Sequence, residues 1–370
     1  VASGIPRLDY FASGGVVGCP ALLVEPSAQN IMAQSETLSV SGNWTRTNVL
    51  VSGSAIASPD GLASGTLLVA TSGSAEHNIT RVAATTVTSG TAVTTSCFFK
   101  AHGTNTFAQL VIGNIGFSPA SPFANFNLTG SGSVTAGNYT SAFIQNYGNG
   151  WYRCGFTTTA AANGTPAITI CPILASGTGR ATTFTGDGVN GVYAWGAQLE
   201  TGSVATSYIP TTTGSVTRNA DLINLTGATD YIGQTEGTLY AEFTWTGKNG
   251  VFRIDDGTNN NTIALDYIND TSQRFRISGS GAAFVNIATT NFLLNTTYKV
   301  ACAYKSTDST MYVNGAPIAS SNGSFTFNGT LSRILLSESV SLGVPVMKLS
   351  SFAVYNKRLP NDQLQALTTL

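Results

Sequence analysis

Lys299-Val-Ala-Cys-Ala-Tyr-Lys305 carries the reading of the fold. Val300, Cys302 and Tyr304 alternate with Lys299, Ala301, Ala303 and Lys305. A strand satisfies this period of two because its successive side chains point to opposite faces of a sheet. Cys302 thereby falls on the apolar face as a small core residue. Working outward, Leu239, Ala241, Phe243 and Trp245 share one face, Phe252 and Ile254 continue it with Arg253 and Asp255 pointing out, and Ile263, Leu265 and Tyr267 follow in the same manner. Toward the N-terminus the clearest strands are Val93-Thr-Thr-Ser-Cys-Phe-Phe-Lys100, Thr106-Phe-Ala-Gln-Leu-Val-Ile112, Ala124-Asn-Phe-Asn-Leu128, Trp151-Tyr-Arg-Cys-Gly-Phe-Thr157 and Val192-Tyr-Ala-Trp-Gly-Ala-Gln-Leu199. Gly, Asn and Ser punctuate them, as expected of antiparallel sheets with one wet face. Only Pro360-Asn-Asp-Gln-Leu-Gln-Ala-Leu367 has helical character, with Asn361 as a candidate cap.

The chain of 370 residues exceeds what one hydrophobic core usually organises. The predicted fold class is all-β: two tandem antiparallel β-sandwiches of jelly-roll type behind an extended N-terminal lead-in. Residues 1–34, interrupted by Pro6, Pro20 and Pro26, are expected to form the lead-in or anchor segment. Residues 35–210 form the first sandwich, the Thr-rich stretch 211–219 the linker, and residues 220–370 the second sandwich. The start at Val1, without Met or a signal peptide, raises the expectation of processing or of a preceding anchor.

Charged residues make up 9% of the chain against 42% hydrophobic ones, where an average soluble protein carries roughly 25% charged. Hydroxyl and amide side chains must therefore supply solubility. Net charge is −1 and the seventeen Lys and Arg are scattered, so the expectation is no nucleic-acid partner. No apolar run approaches the ~20 residues of a spanning helix, and no membrane partner is expected. The five cysteines contain no CxxC spacing, which argues against metal or redox chemistry. Eleven Asn-x-Ser/Thr sequons follow from the Asn, Ser and Thr content.

Three stretches resemble a module common in phage tail and virion proteins: Gly4-Ile-Pro-Arg-Leu-Asp-Tyr10 with Cys19-Pro-Ala-Leu-Leu-Val-Glu-Pro26, then Gly148-Asn-Gly-Trp-Tyr-Arg153, then Trp195-Gly-Ala-Gln-Leu-Glu200 running to Ala205-Thr-Ser-Tyr-Ile-Pro210 and Val216-Thr-Arg218. Such proteins usually follow Glu-Pro with Arg-Thr-Asn, whereas this chain has Ser27-Ala28-Gln29-Asn30. The second half is similar to laminin-G or concanavalin-A-like domains, on Tyr298-Lys-Val-Ala-Cys-Ala-Tyr304, Met311-Tyr-Val-Asn-Gly315 with its Asn-Gly turn, and Leu349-Ser-Ser-Phe-Ala-Val-Tyr-Asn-Lys-Arg-Leu359.

These resemblances imply a carbohydrate-binding-like jelly roll followed by a concanavalin-A-like sandwich, in a structural component of a virion exterior such as a head fibre, capsid decoration or tail-fibre module. Its implied partners are other virion proteins, further copies of itself and host-surface glycans held by avidity. A lectin-like receptor-binding protein recognising host polysaccharide and a glycan depolymerase stay open as alternatives. A depolymerase requires two carboxylates roughly 5–9.5 Å apart across the scissile bond, and the acids are thinly spread, so no enzymatic activity is expected.

Sugar rings stack on exposed aromatic faces, and Trp151 with Tyr147 is the candidate platform, the alternative being burial. Trp195 and Trp245 read as core. No cofactor is indicated other than calcium, a hard cation that takes several oxygen ligands. The candidate ligands are Asp255, Asp256, Asn259 and Asp266, set against the reading of Asp255-Asp256-Gly257 as a plain turn. His77 and His102 have no Ser, Cys or acid at a triad spacing.

Overall fold

The computed structural model describes residues 5–13, 16–245, 252–269, 272–280, 282–289, 292–293, 295–337 and 347–370. They form two compact units, one built on Ala28–Arg218 and the other on Cys19–Ser27 with Asn219–Leu370. Each consists of antiparallel sheets enclosing its own core, the all-β tandem-sandwich class expected from the alternation. Among the described residues no helix is long and apolar enough to cross a membrane.

In the second unit Glu236–Trp245 lies at the centre of a seven-stranded sheet, paired with Thr296–Lys305 on one side and Met347–Tyr355 on the other. Register places Leu239 opposite Cys302, Ala241 opposite Val300 and Phe243 opposite Tyr298. These side chains meet Ile254, Ile263, Leu265, Phe275 and Ile277 of a six-stranded sheet in one cluster. Each fully buried aliphatic or Phe side chain there contributes about 1.5–3 kcal/mol. The reverse face of the seven-stranded sheet is covered at Tyr240, Ala301, Ala303 and Tyr312, where Leu364 of the helix Asn361–Thr368 packs. Small Ala side chains let the helix approach. Asn361, the candidate cap, is the first helical residue; the cap position is occupied by Pro360, without a side-chain capping bond.

The first unit centres on Ala92–His102, flanked by Trp151–Ala160 and Gly191–Thr201 in a nine-stranded sheet. A six-stranded sheet containing Phe107–Gly113, Phe123–Asn127 and Ala167–Ile173 closes the sandwich. Here the expected wet face is not found: Trp151–Ala160 is buried along nearly its whole length. Its outward side chains belong to an aromatic cluster of Phe98, Trp151 and Trp195 and to a hydroxyl ladder in which Thr94 and Thr157 lie 2.8 Å apart.

The stretch Trp195–Glu200 and the segment 205–210 account for that covering. At Gly196 the backbone is left-handed (φ +66°) and the pairing register shifts between Trp195 and Gln198, a bulge that glycine favours. A Cβ at Gly196 would press on Phe98 and on the Tyr208 ring at 3.1–3.2 Å. Past the bulge, Gln198 accepts from the Ile209 amide at 2.7 Å and Glu200 accepts from the Thr206 amide at 3.0 Å. Residues 206–211 are thus tied to the sheet. Asn30, fully buried, donates to the carbonyls of Ile209 and Ala197 and accepts from the amides of Leu199 and Met32.

The lead-in and linker are corrected by their pairings. Leu22, Leu23 and Val24 pair with Leu349, Lys348 and Met347, so the strand Val16–Val24 extends the seven-stranded sheet of the second sandwich. Arg7 fixes the same segment, its Nη1 2.8 Å from Glu25 and its Nε 2.9 Å from Asp221. Ala28–Asn30 and Val216–Arg218 pair with each other within the first sandwich. Strand addition satisfies the backbone donors and acceptors that a free lead-in would leave to water.

Candidate functional site

The six-stranded sheet of the second sandwich positions the site. The strand Phe252–Asp255 ends at Asp255, the chain turns through 256–261, and Thr262–Asn269 returns beside it with Asp255 opposite Thr262. Asp256 organises the turn: its Oδ1 accepts from the Thr258 amide at 2.9 Å and hydroxyl at 2.6 Å, and its Oδ2 from the Asn261 amide side chain at 2.6 Å. Burial pushes the Asp256 carboxyl up, but the bonds from Thr258 and Asn261 outweigh it and hold the group below its ordinary value. Arg253 donates from Nη2 to the Thr258 carbonyl at 2.6 Å, anchoring the loop from beneath.

Two distant segments complete a surface depression of about 420 Å³, lined by Asp256, Thr258, Asn260, Asn261, Ser280, Asn328 and Gly329. Asn261 accepts from the Asn328 amide at 3.1 Å, and Asn328 donates from its side chain to Ser280. A Cβ at Gly329 would come within 2.4 Å of the Asp256 Oδ2, so glycine permits the close approach of this wall. The lining is hydroxyl, amide and a single carboxylate. Such a surface exchanges directional hydrogen bonds with a hydroxyl-rich ligand.

The four proposed calcium ligands do not converge. Asp255 is fully buried and its carboxylate is taken by Arg253 Nε at 2.6 Å, Arg333 Nε at 2.7 Å and the Gly257 amide at 2.9 Å. Asp266 lies four residues along the strand from Thr262, roughly 13 Å at strand rise, and pairs with Arg276 at 2.6 Å and Arg274 at 3.1 Å. Asn259 is exposed and outside the depression. Only Asp256 belongs to it. Among the described residues no three His, Cys, Asp or Glu side chains are grouped to hold a metal. A donor set whose two deepest carboxylates already neutralise arginines does not suit a divalent cation.

The aromatic platform is corrected as well. Trp151 is 3% exposed and donates from its indole to the Ala57 carbonyl at 3.0 Å, packed against Phe98 and Trp195. Tyr147 is 39% exposed and meets the Phe98 ring edge-on at 5.0 Å between centroids. Ser280, Asn328 and Gly329 were missed by the sequence reading. They carry no motif, and only sheet topology brings them to the 256–261 turn.

No family model matches the chain, and no curated protein matches it. Solved structures resemble it in part. The CBM40 domain of the Ruminococcus gnavus IT-sialidase, bound to α2,3-sialyllactose, is 14% identical over 40% of this chain and 97% of that one, with a TM-score of 0.34. The heptameric SAP-like pentraxin of Limulus polyphemus is 12% identical over 35% of this chain and 68% of that one, with a TM-score of 0.30. Domains LG4-5 of the mouse laminin α1 chain are 10% identical over 96% of this chain and 92% of that one, with a TM-score of 0.28. Likenesses this low carry no information about function.

Proposed function

We propose that the chain is a non-catalytic structural module of a bacteriophage exterior that adheres to glycans through the depression beside Asp256. The observation that carries the adhesive part is the lining itself: Thr258, Asn260, Asn261, Ser280 and Asn328 around one carboxylate. Vicinal sugar hydroxyls are both donors and acceptors, and amide side chains match them in both roles. An open, shallow site of this kind holds a monosaccharide weakly, and many copies on one particle raise the overall avidity. Asp256 is the single carboxylate of the lining, which favours binding over the paired-acid chemistry of a glycosidase.

The virion assignment rests on the sequence motifs. It is supported by what those motifs do: Gln198, Glu200 and Asn30 tie strand to covering segment inside the first sandwich, the work of a durable building block. Other virion proteins and further copies of the chain are its proposed partners, and the outside of the particle its place.

The test is a glycan array probed with the chain displayed multivalently, beside a chain carrying Asp256→Ala and Asn328→Ala. Binding to a defined glycan class that the double variant loses supports the reading. Equal binding by both, or none by the intact folded chain, overturns it.

A further inference from the structure

Cys97 and Cys154, far apart in the chain, are direct register partners where Ala92–His102 pairs with Trp151–Ala160. Directly opposed residues of an antiparallel pair point to the same face with Cα atoms about 4.5 or 5.5 Å apart. Both spacings fall inside the roughly 4.4–6.8 Å that a disulfide spans. Both side chains are fully buried in the core of the first sandwich. In this structure both are free thiols: Cys97 Sγ donates to the carbonyls of Trp195 at 3.3 Å and Phe98 at 3.6 Å, and Cys154 Sγ to that of Tyr152 at 3.9 Å. Of the other cysteines, Cys171 belongs to the opposite sheet in a separate cluster, Cys302 lies in the core of the second sandwich, and Cys19 is exposed. Cys97 and Cys154 are thus the one pair in register among them.

We propose that Cys97 and Cys154 form a cross-strand disulfide while the first sandwich folds, given a small-molecule disulfide such as oxidised glutathione as oxidant. One protein thiolate attacks the glutathione disulfide, forming a mixed disulfide and expelling one glutathione thiolate. The second protein thiolate then attacks the protein sulfur of the mixed disulfide and expels the other glutathione. Two protein thiols are oxidised, one glutathione disulfide is reduced, and the two protons end on the released glutathione thiols. The bond must form before the sheets close, because burial pushes the Cys97 thiol up to about 12 and the Cys154 thiol also well above its ordinary range, leaving almost no thiolate to react. Once made, it is shielded from reductant by the same burial.

The experiment uses the full chain with Cys19→Ser, which removes intermolecular exchange. The reduced chain is unfolded, refolded in a glutathione and glutathione-disulfide mixture, blocked with iodoacetamide in denaturant, digested without reduction and examined by mass spectrometry. The expected product is the Cys97 peptide joined to the Cys154 peptide, lighter than the two free peptides by two hydrogens, with Cys171 and Cys302 alkylated. Recovery of Cys97 and Cys154 as alkylated peptides from folded protein, or of either joined to Cys171 or Cys302, overturns the assignment. A second arm exposes the folded, reduced chain to the same mixture. No linked peptide is expected there, and rapid linkage would overturn the step's placement before sheet closure. Both outcomes are independent of glycan binding.

Discussion

Asp255 and Arg333 face each other across paired strands of the second sandwich, with Nε to Oδ1 at 2.7 Å and Nη2 to Oδ2 at 3.1 Å. Arg253 closes on the same carboxylate from its own strand at 2.6 Å. One fully buried acid thus serves two arginines, and the arrangement holds the base of the loop that carries Asp256.

Removing Asp255 leaves guanidinium charge in a site with little water. Breaking a buried pair from one side costs about 3–5 kcal/mol, far more than the net worth of the pair. Asp255→Ala should therefore lower the unfolding free energy of the second sandwich by that amount, with a matching fall in the urea midpoint, followed by the fluorescence of Trp245. Replacing all three residues with apolar ones of similar volume should recover most of the loss.

Asp256 sets the pH range of the proposed binding. Its folded-state value is depressed, so the turn it organises is fully stabilised above the unfolded value and loosens as pH falls through the folded one. Glycan binding should be flat between about pH 5 and 8 and fall only below the ordinary aspartate range. Titration calorimetry or array binding across pH checks this, and Asp256→Asn should remove the acid limb.

Asp187 makes an independent titration marker. Its Oδ1 accepts the amides of Val189 and Asn190 at 2.8 Å each and its Oδ2 the Asn190 side chain at 2.5 Å. Those bonds bring its carboxyl down to about 2. Carboxyl-carbon NMR should find it titrating well below the other exposed acids. The turn's stabilisation, complete above the unfolded value, should be lost only as pH approaches 2.

Asn30 satisfies four backbone groups with one side chain: the carbonyls of Ala197 and Ile209 and the amides of Met32 and Leu199. Each buried group left without a partner costs about 1–3 kcal/mol. Asn30→Ala should destabilise the first sandwich by about 3 kcal/mol or more in chemical denaturation. Asn30→Asp should also destabilise it, because a carboxylate would face two carbonyl oxygens.

Much of this was legible in residue order alone. Alternation in Lys299–Lys305 and Leu239–Trp245 shows which side chains share a face, since a strand offers only two, and with it the all-β class and the burial of Cys302 and Trp245. The Asp255–Asn261 turn was legible from its Asp-Gly and Asn content. Partner choice was not. Asp255 read as an outward acid, either a calcium ligand or part of a plain turn, yet Arg333, 78 residues away, neutralises it. Trp151 read either as a sugar platform or as a buried ring, and it is Phe98 and Trp195 that decide for burial. The N-terminal 34 residues read as an extended lead-in or anchor, yet Leu22–Val24 pair into a sheet with Met347–Leu349. Local periodicity determines the face of a residue, because side-chain direction is a property of the strand itself. Which strand lies alongside, and hence whether a carboxylate meets a metal or an arginine, is decided only when sheet pairing brings distant segments into register.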